Sequence, residues 1–228
     1  FLKTPKGFKK HLFRNYGGRA NIFLIYIFYS IRKFFLVKNK KRIFIDCGSN
    51  LGQGFTFFRK IFPLDYYSYI LIEPNVNCVS ELSKKFGSEQ NIEIINAAVW
   101  IQNGTVELYG LNESNDKYTD GASIIDSHNS DYYSVNKNKS TKVRSIDFSS
   151  LLIDYSSYDE VVVKMDIESS EYEVIDKLLS DNTIKIIETL FVEFHGHTFS
   201  KDKRDFYINK EKQYFELLPK YTRFIKWY

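Results

Sequence analysis

The stretch that most constrains this chain is a nine-residue run, Asp46-Cys47-Gly48-Ser49-Asn50-Leu51-Gly52-Gln53-Gly54, set directly behind the apolar triplet Ile43-Phe44-Ile45. A short apolar run bounded by turn formers suits a β-strand buried on both faces. The segment after it, Phe55 to Phe62, reads as a helix stopped by Pro63. Strand, glycine-rich turn and helix make the first half of a nucleotide-binding βαβ unit. Glycines let a ligand approach the backbone, and a helix start offers free N–H groups.

A dinucleotide fingerprint requires G-x-G-x-x-G, and Asn50 and Gln53 break it. Asp46 at the strand end would repel a pyrophosphate but suits a ligand carrying an amino group or a sulfonium. The second strand, Tyr69 to Ile72, ends in Glu73-Pro74, and a carboxylate there can accept from both ribose hydroxyls. Asp46 and Glu73, with Gly48, Asn50 and Gly52 between them, point to S-adenosylmethionine. After a helix over Val76 to Phe86, the run Ile92 to Val99 reads as the third strand. Its small residues Ala97 and Ala98 leave room for a flat adenine, or equally for a closely packed helix. Gly104 to Tyr109 alternates like a hairpin strand, and residues 110–140, rich in Asn, Ser, Asp and Tyr, read as a substrate-facing loop or lid.

In the second half, Val161-Val162-Val163-Lys164-Met165-Asp166 reads as a central strand with its charges at the carboxyl end, where open α/β sheets bind ligands. Lys164 and Asp166, two apart, share a strand face. Glu168 and Glu171 open a helix running to about Ser180, where either complements the helix start. A fifth strand, about Ile186 to Phe194, runs into Glu193-Phe194-His195-Gly196-His197. Lys201 to Leu218 reads as a charged helix and Tyr221 to Tyr228 as one last strand.

Ile45-Asp46-Cys47-Gly48-Ser49-Asn50-Leu51-Gly52, Glu73-Pro74-Asn75, Lys164-Met165-Asp166-Ile167-Glu168 and Val192-Glu193-Phe194-His195, in that order, resemble the FkbM family of S-adenosylmethionine-dependent methyltransferases. Arg144-Ser145-Ile146-Asp147 is similar to the family's short "TLD" element before the fourth strand. Ser169, where the family usually has Gly, and Cys47, where a small aliphatic residue is commoner, are departures. The resemblance covers about residues 42–196. It implies a Rossmann-like class I α/β fold and O-methylation of a hydroxyl, often on a sugar or polyketide.

An alcohol is a poor nucleophile, so its methylation needs a base or a metal. Asp166, Glu193 and His195 converge if their strands are neighbours. His195 has the ordinary pKa of a base near neutral pH, and Asp166 orients it or contacts the acceptor. Lys164 holds an oxyanion or a carboxylate, or pairs with Glu193. The same trio with Glu168 is the alternative, a divalent-cation site.

Charge divides the 228 residues unevenly. Residues 1–42 carry 12 Lys/Arg and no acid; the remainder carries 20 Lys/Arg against 28 Asp/Glu, a net −8. The expected organisation is a basic helical arm over 1–41, its helix at 22–37, before a methyltransferase domain over 42–228. The arm's apolar run is too short to span a membrane. It suits a neighbouring domain or an anionic membrane surface, and the protein is expected in the cytoplasm. The acidic domain disfavours nucleic acid, including the rival reading of RNA 2′-O-methylation. A non-catalytic module that binds S-adenosylmethionine is the other rival. Cys47 and Cys78 are expected as reduced thiols without zinc spacing. The only Met is Met165, so the chain reads as a processed or excised piece.

Overall fold

The computed structural model describes residues 36–111, 118, 121–129 and 135–227; residues 1–35 of the basic arm, with nearly all of its expected helix, and much of the polar stretch 112–134 lie outside them. Six parallel strands form the main sheet: β1 (Arg42–Cys47), β2 (Ser68–Glu73), β3 (Ile92–Asn96), β7 (Glu160–Met165), β8 (Thr189–Val192) and β9 (Arg223–Lys226), in the order β3-β2-β1-β7-β8-β9. The order reverses between β1 and β7, so the chain's two halves meet at the switch point where doubly wound sheets bind ligands.

Both faces of the sheet are covered, which explains the unbroken apolar runs of β1 and β7. On one face Ile43, Ile45, Cys47, Val161, Val163 and Met165 pack against α3 (Phe148–Ile153) and α4 (Glu171–Ser180). On the other, Phe44, Val162 and Phe191 meet α1 (Gln53–Phe58) and Trp227 in an aromatic cluster, with the rings of Phe44, Phe58, Phe62 and Phe191 interlocked. α2 (Val76–Phe86) is begun by Asn75, whose side chain accepts from the Asn77 N–H at 3.0 Å. α5 (Lys201–Leu217) precedes the edge strand β9.

Three expectations need correction. The helix after the glycine loop ends at Phe58, and the chain reaches Phe62 in turns. The run Ile92–Val99 is not one strand. At Ala97 the N–H returns to the Glu73 carbonyl at 3.2 Å, and the Asn96 side chain donates to the Glu73 and Pro74 carbonyls at 2.9 and 3.0 Å. The chain therefore leaves the main sheet, and β4 (Ala98–Trp100) joins a second, three-stranded sheet. There β5 (Gly104–Leu108) finds its antiparallel partner in β6 (Thr141–Asp147), far along the chain. No helix among the described residues is long and apolar enough to cross a membrane.

Candidate active site

Four neighbouring strands, β2, β1, β7 and β8, end at the same edge of the sheet and carry the functional side chains with them. β1 gives way to a loop with three left-handed residues, Gly48 (φ 78°), Asn50 (φ 46°) and Gly52 (φ 84°). Gly48 has to be glycine for a second reason. A Cβ there would sit 1.8 Å from the Asp166 carbonyl oxygen, so the loop lies directly on the end of β7. The Gly48 and Ser49 N–H groups both donate to the Ile72 carbonyl, at 3.0 and 3.1 Å, locking the loop to the end of β2.

Glu73 sits at that end, 7% exposed. Its two carboxylate oxygens are separately held: Oε2 accepts from the Asn50 N–H of the glycine loop and Oε1 from the Asn75 N–H, both at 2.9 Å. Burial pushes the carboxyl up to about 7, against the lowering effect of those hydrogen bonds. Ala97, 1% exposed, lies beside it through the bond from its N–H to the Glu73 carbonyl.

Asp46 and Lys164 are paired in register on β1 and β7 and lie on the face shared with Phe44 and Val162. Asp46 is 0% exposed, and burial raises its pKa. Lys164 Nζ stands 3.2 Å from Asp46 Oδ1 and 3.1 Å from Asp166 Oδ2, and it donates to the Gly48 carbonyl at 3.0 Å. Burial alone would lower the ammonium pKa, but Asp166 and Asp46 outweigh it and raise it. The expected Lys164–Glu193 pairing is thus replaced. The register across two strands, which a single strand's alternation does not reveal, gives the lysine to Asp46. Neither Asp46 oxygen has an aligned hydrogen-bond donor among the described residues.

Beyond β7 and β8 the structure brings Asp166, Glu193 and His195 together and adds Glu168. His195 Nε2 lies 3.7 Å from Asp166 Oδ1, 3.5 Å from Glu168 Oε2 and 3.9 Å from Glu193 Oε1. Among the described residues, Asp166, Glu168 and His195 place one donor atom each within 4.8 Å of one another. The imidazole is not the unperturbed base expected of it. Burial would discharge it, but Glu168, Glu171 and Glu193 raise its pKa well above the ordinary value. Burial and Asp166 hold Glu193 at about 8.

Two contributors were not among the expected site residues. Glu171, fully buried at the start of α4, accepts from His195 Nδ1 at 2.8 Å and from the Ile167 N–H at 3.0 Å through the same oxygen. His128, from the polar stretch read as a lid, reaches in so that Nδ1 meets Ser169 Oγ at 2.8 Å and Nε2 lies 3.5 Å from Glu168 Oε2. Burial, then the charges of His195 and His197, push His128 down to about 3, so it is neutral. Ser123 Oγ donates to the Glu168 carbonyl. Ser169, with φ 79°, takes a conformation that glycine adopts freely, and its hydroxyl bridges His128 and Thr198. A lone histidine in a polar loop carries no periodic signal, and Glu171 reads equally well as a helix-start carboxylate.

A parallel sheet with a glycine loop after its first strand, an acid ending the second and a charged cluster past the fourth and fifth defines a Rossmann-like transferase architecture. The model of the methyltransferase FkbM domain matches residues 46–221, and the chain belongs to this methyltransferase family. A crystal structure described as methyltransferase FkbM from Methylobacillus flagellatus KT is similar at 14% identity and a TM-score of 0.40. That similarity covers 69% of this chain, which spans about a third (34%) of the other. No curated protein matches by sequence.

Proposed function

We propose that the domain transfers a methyl group from S-adenosylmethionine to a hydroxyl of a sugar, glycan or related small molecule. The observation that carries the cofactor reading is Glu73. It is a buried carboxylate at the end of β2, tied by separate backbone N–H groups to the glycine loop and to the start of α2, with each oxygen retaining a lone pair. That leaves the carboxylate able to take two ribose hydroxyls. Two further observations fit the same ligand. Asp46, ion-paired with Lys164 but without a geometric hydrogen bond to either carboxylate oxygen, sits beneath the glycine loop, beside Gly54, where an amino group or sulfonium would add to its compensation. Gly48 and Gly52 hold the loop in its left-handed turns. Ala97 flanks the place where the adenine would lie.

When bound, the cofactor supplies a methyl group made electrophilic by its sulfonium. This chain's own residues must hold the acceptor oxygen about 3 Å from that carbon, in line with the C–S bond. Asp166 and Lys164 border the glycine loop and are fixed to each other, so they position the acceptor from the β7 side. Glu193 and His195 face them from β8, and Glu193, its carboxyl held at about 8, is the group placed to take the hydroxyl proton. The sugar preference rests on the family resemblance.

The test is calorimetric titration with S-adenosylhomocysteine, followed by transfer of a labelled methyl to a panel of sugars and to RNA oligonucleotides. Binding, with label on hydroxylated sugars alone, is the expected result. Absence of binding by the wild type removes the cofactor reading. Label on RNA transfers the proposal to the 2′-hydroxyl.

A further inference from the structure

We propose that Asp166, Glu168 and His195 form a binding site for a divalent cation of the Mg2+/Mn2+ type, with Glu171 as the positioning residue that aims the histidine. The proposal deepens the methyl-transfer reading on its acceptor side and rests on it only for the purpose of the site.

The histidine is the starting point. It is buried, 6% exposed, and its Nδ1 is committed to Glu171 at 2.8 Å. That bond fixes the ring and turns Nε2 toward three carboxylates at 3.5, 3.7 and 3.9 Å. These separations are too long for hydrogen bonds. They suit ligands around a common ion. A cation binding at ~2.1 Å in an octahedron spaces neighbouring donors ~3.0 Å apart, and one binding at ~2.4 Å spaces them ~3.4 Å apart. Rotation of the two carboxylates by about half an ångström or a little more brings them to the shorter spacing.

The backbone prepares this arrangement. Asp166 is the first residue past β7, and its N–H donates to the Cys47 carbonyl at 3.1 Å. Glu168 and Ser169 follow in left-handed conformations, φ 52° and 79°, which fold Glu168 back toward His195 rather than along the chain. A carboxylate bonded to the far nitrogen of a ligating histidine is the usual outer support of a metal site, fixing the tautomer that leaves the near nitrogen able to bind. Glu171 occupies that place. His128 Nε2, 3.5 Å from Glu168 Oε2, borders the site on the lid side.

The donor set selects the ion. Two carboxylates and one imidazole, with no thiolate, favour hard, oxygen-preferring cations. Cys47, paired in register with Met165 just before Asp166, is buried in the core on one face of the sheet. Charge argues the same way. Asp166, Glu168, Glu171 and Glu193 gather around one imidazole, and Lys164 is already engaged with Asp46 as well as Asp166. A doubly charged ion relieves their mutual repulsion. Glu193 is left outside the trio, next to the acceptor.

Mn2+ serves as the probe on the full chain, after treatment with chelator. The expected result is one Mn2+ per chain by titration, with 14N modulation in the pulsed electron paramagnetic resonance spectrum from directly bound imidazole. Glu168→Gln and His195→Gln should each weaken Mn2+ at least tenfold, and His195→Gln should erase the 14N signal. Glu171→Gln should weaken Mn2+ about 10- to 100-fold, as the loss of an outer-shell partner does, while the 14N signal persists at saturating metal. Asp126→Asn, on an exposed ion pair elsewhere, should change nothing. Binding without 14N modulation, or binding unaffected by the variants, overturns the proposal, and the spectrum of the wild type alone decides the matter should a variant not fold. A protein that binds S-adenosylhomocysteine but no Mn2+ loses the cation site and keeps the transferase reading. One that binds Mn2+ but not the nucleoside does the reverse.

Discussion

Removing the Lys164 ammonium while keeping the length of its side chain, as in Lys164→Met, tests the electrostatic centre of the sheet. The lysine is 3% exposed and stands between Asp46, which is fully buried, and Asp166, which is partly exposed. Asp166 can turn to water, but Asp46 cannot. The variant strands a carboxylate in the core, and breaking a buried pair in this way costs about 3–5 kcal/mol. For a domain of this size the melting temperature then falls by roughly 6–20 °C. The loss has a pH signature. Burial already raises the Asp46 pKa with the lysine in place, and its removal raises it further, so the folded state prefers the protonated acid. Stability is retained at low pH and lost as pH rises from the unfolded value near 3.8 to the folded one, at about 1.4 kcal/mol per pH unit. Adding Asp46→Asn removes the stranded charge, so the double variant should recover more than half of the loss and follow the wild type's own pH dependence, which Glu73 and Glu193 still set. Urea unfolding of the four members of this cycle at pH 5, 6, 7 and 8 makes the measurement. A double variant no better than Lys164→Met, or a defect independent of pH, would refute the assignment of Asp46 as the partner.

Other consequences can be measured independently. Glu73→Ala should weaken S-adenosylhomocysteine about tenfold or more by calorimetry, as loss of a hydrogen-bonded charge predicts; an unchanged affinity would place the ribose elsewhere. Because Glu73 is held at about 7, the ionised form that accepts hydroxyls is depleted in acid, so wild-type affinity should fall several-fold from pH 8 to pH 6 while Glu73→Gln shows no such trend. Gly48→Ala drives a Cβ into the Asp166 carbonyl and strains a left-handed residue, so it should lose nucleoside binding and destabilise the fold by more than ~2 kcal/mol; wild-type behaviour would show that the loop sits off β7. Cys47 and Cys78 are buried thiols outside any disulfide, and burial raises the Cys47 pKa well above the ordinary value, so thiol reagents should label neither until denaturant unfolds the sheet.

The parts of the fold legible in the sequence are those that a local pattern specifies. The apolar runs of β1 and β7 predicted buried strands, and the helix read over Val76 to Phe86 is α2 at the bounds observed. The glycine loop and Glu73 were readable because chain direction alone puts strand ends at one edge. The illegible parts depend on pairing between distant segments. Nothing in Ile92–Val99 marks Ala97 as the point where the chain changes sheets, since a hydrogen bond to Glu73 decides it. Alternation within β7 put Asp166 beside Lys164, as observed, whereas the second partner, Asp46, follows only from register between β1 and β7. Glu171 and His128 reach the site through a helix start and a loop crossing, which carry no spacing of their own.

The adjacency of β1 and β7 also sets how this protein must come into being. Asp46 and Lys164 are joined only when the chain closes over more than a hundred intervening residues, and closing so long a loop is entropically demanding before any contact rewards it. Chains dominated by such distant pairings fold slowly. The glycine loop and Glu73 belong to the first half, whereas the acidic cluster belongs to the second. A ribosome-bound chain that has emerged only as far as β3 therefore owns Glu73 and the glycine loop but has no lysine to neutralise Asp46. The two parts of the candidate site meet only when β7 pairs with β1.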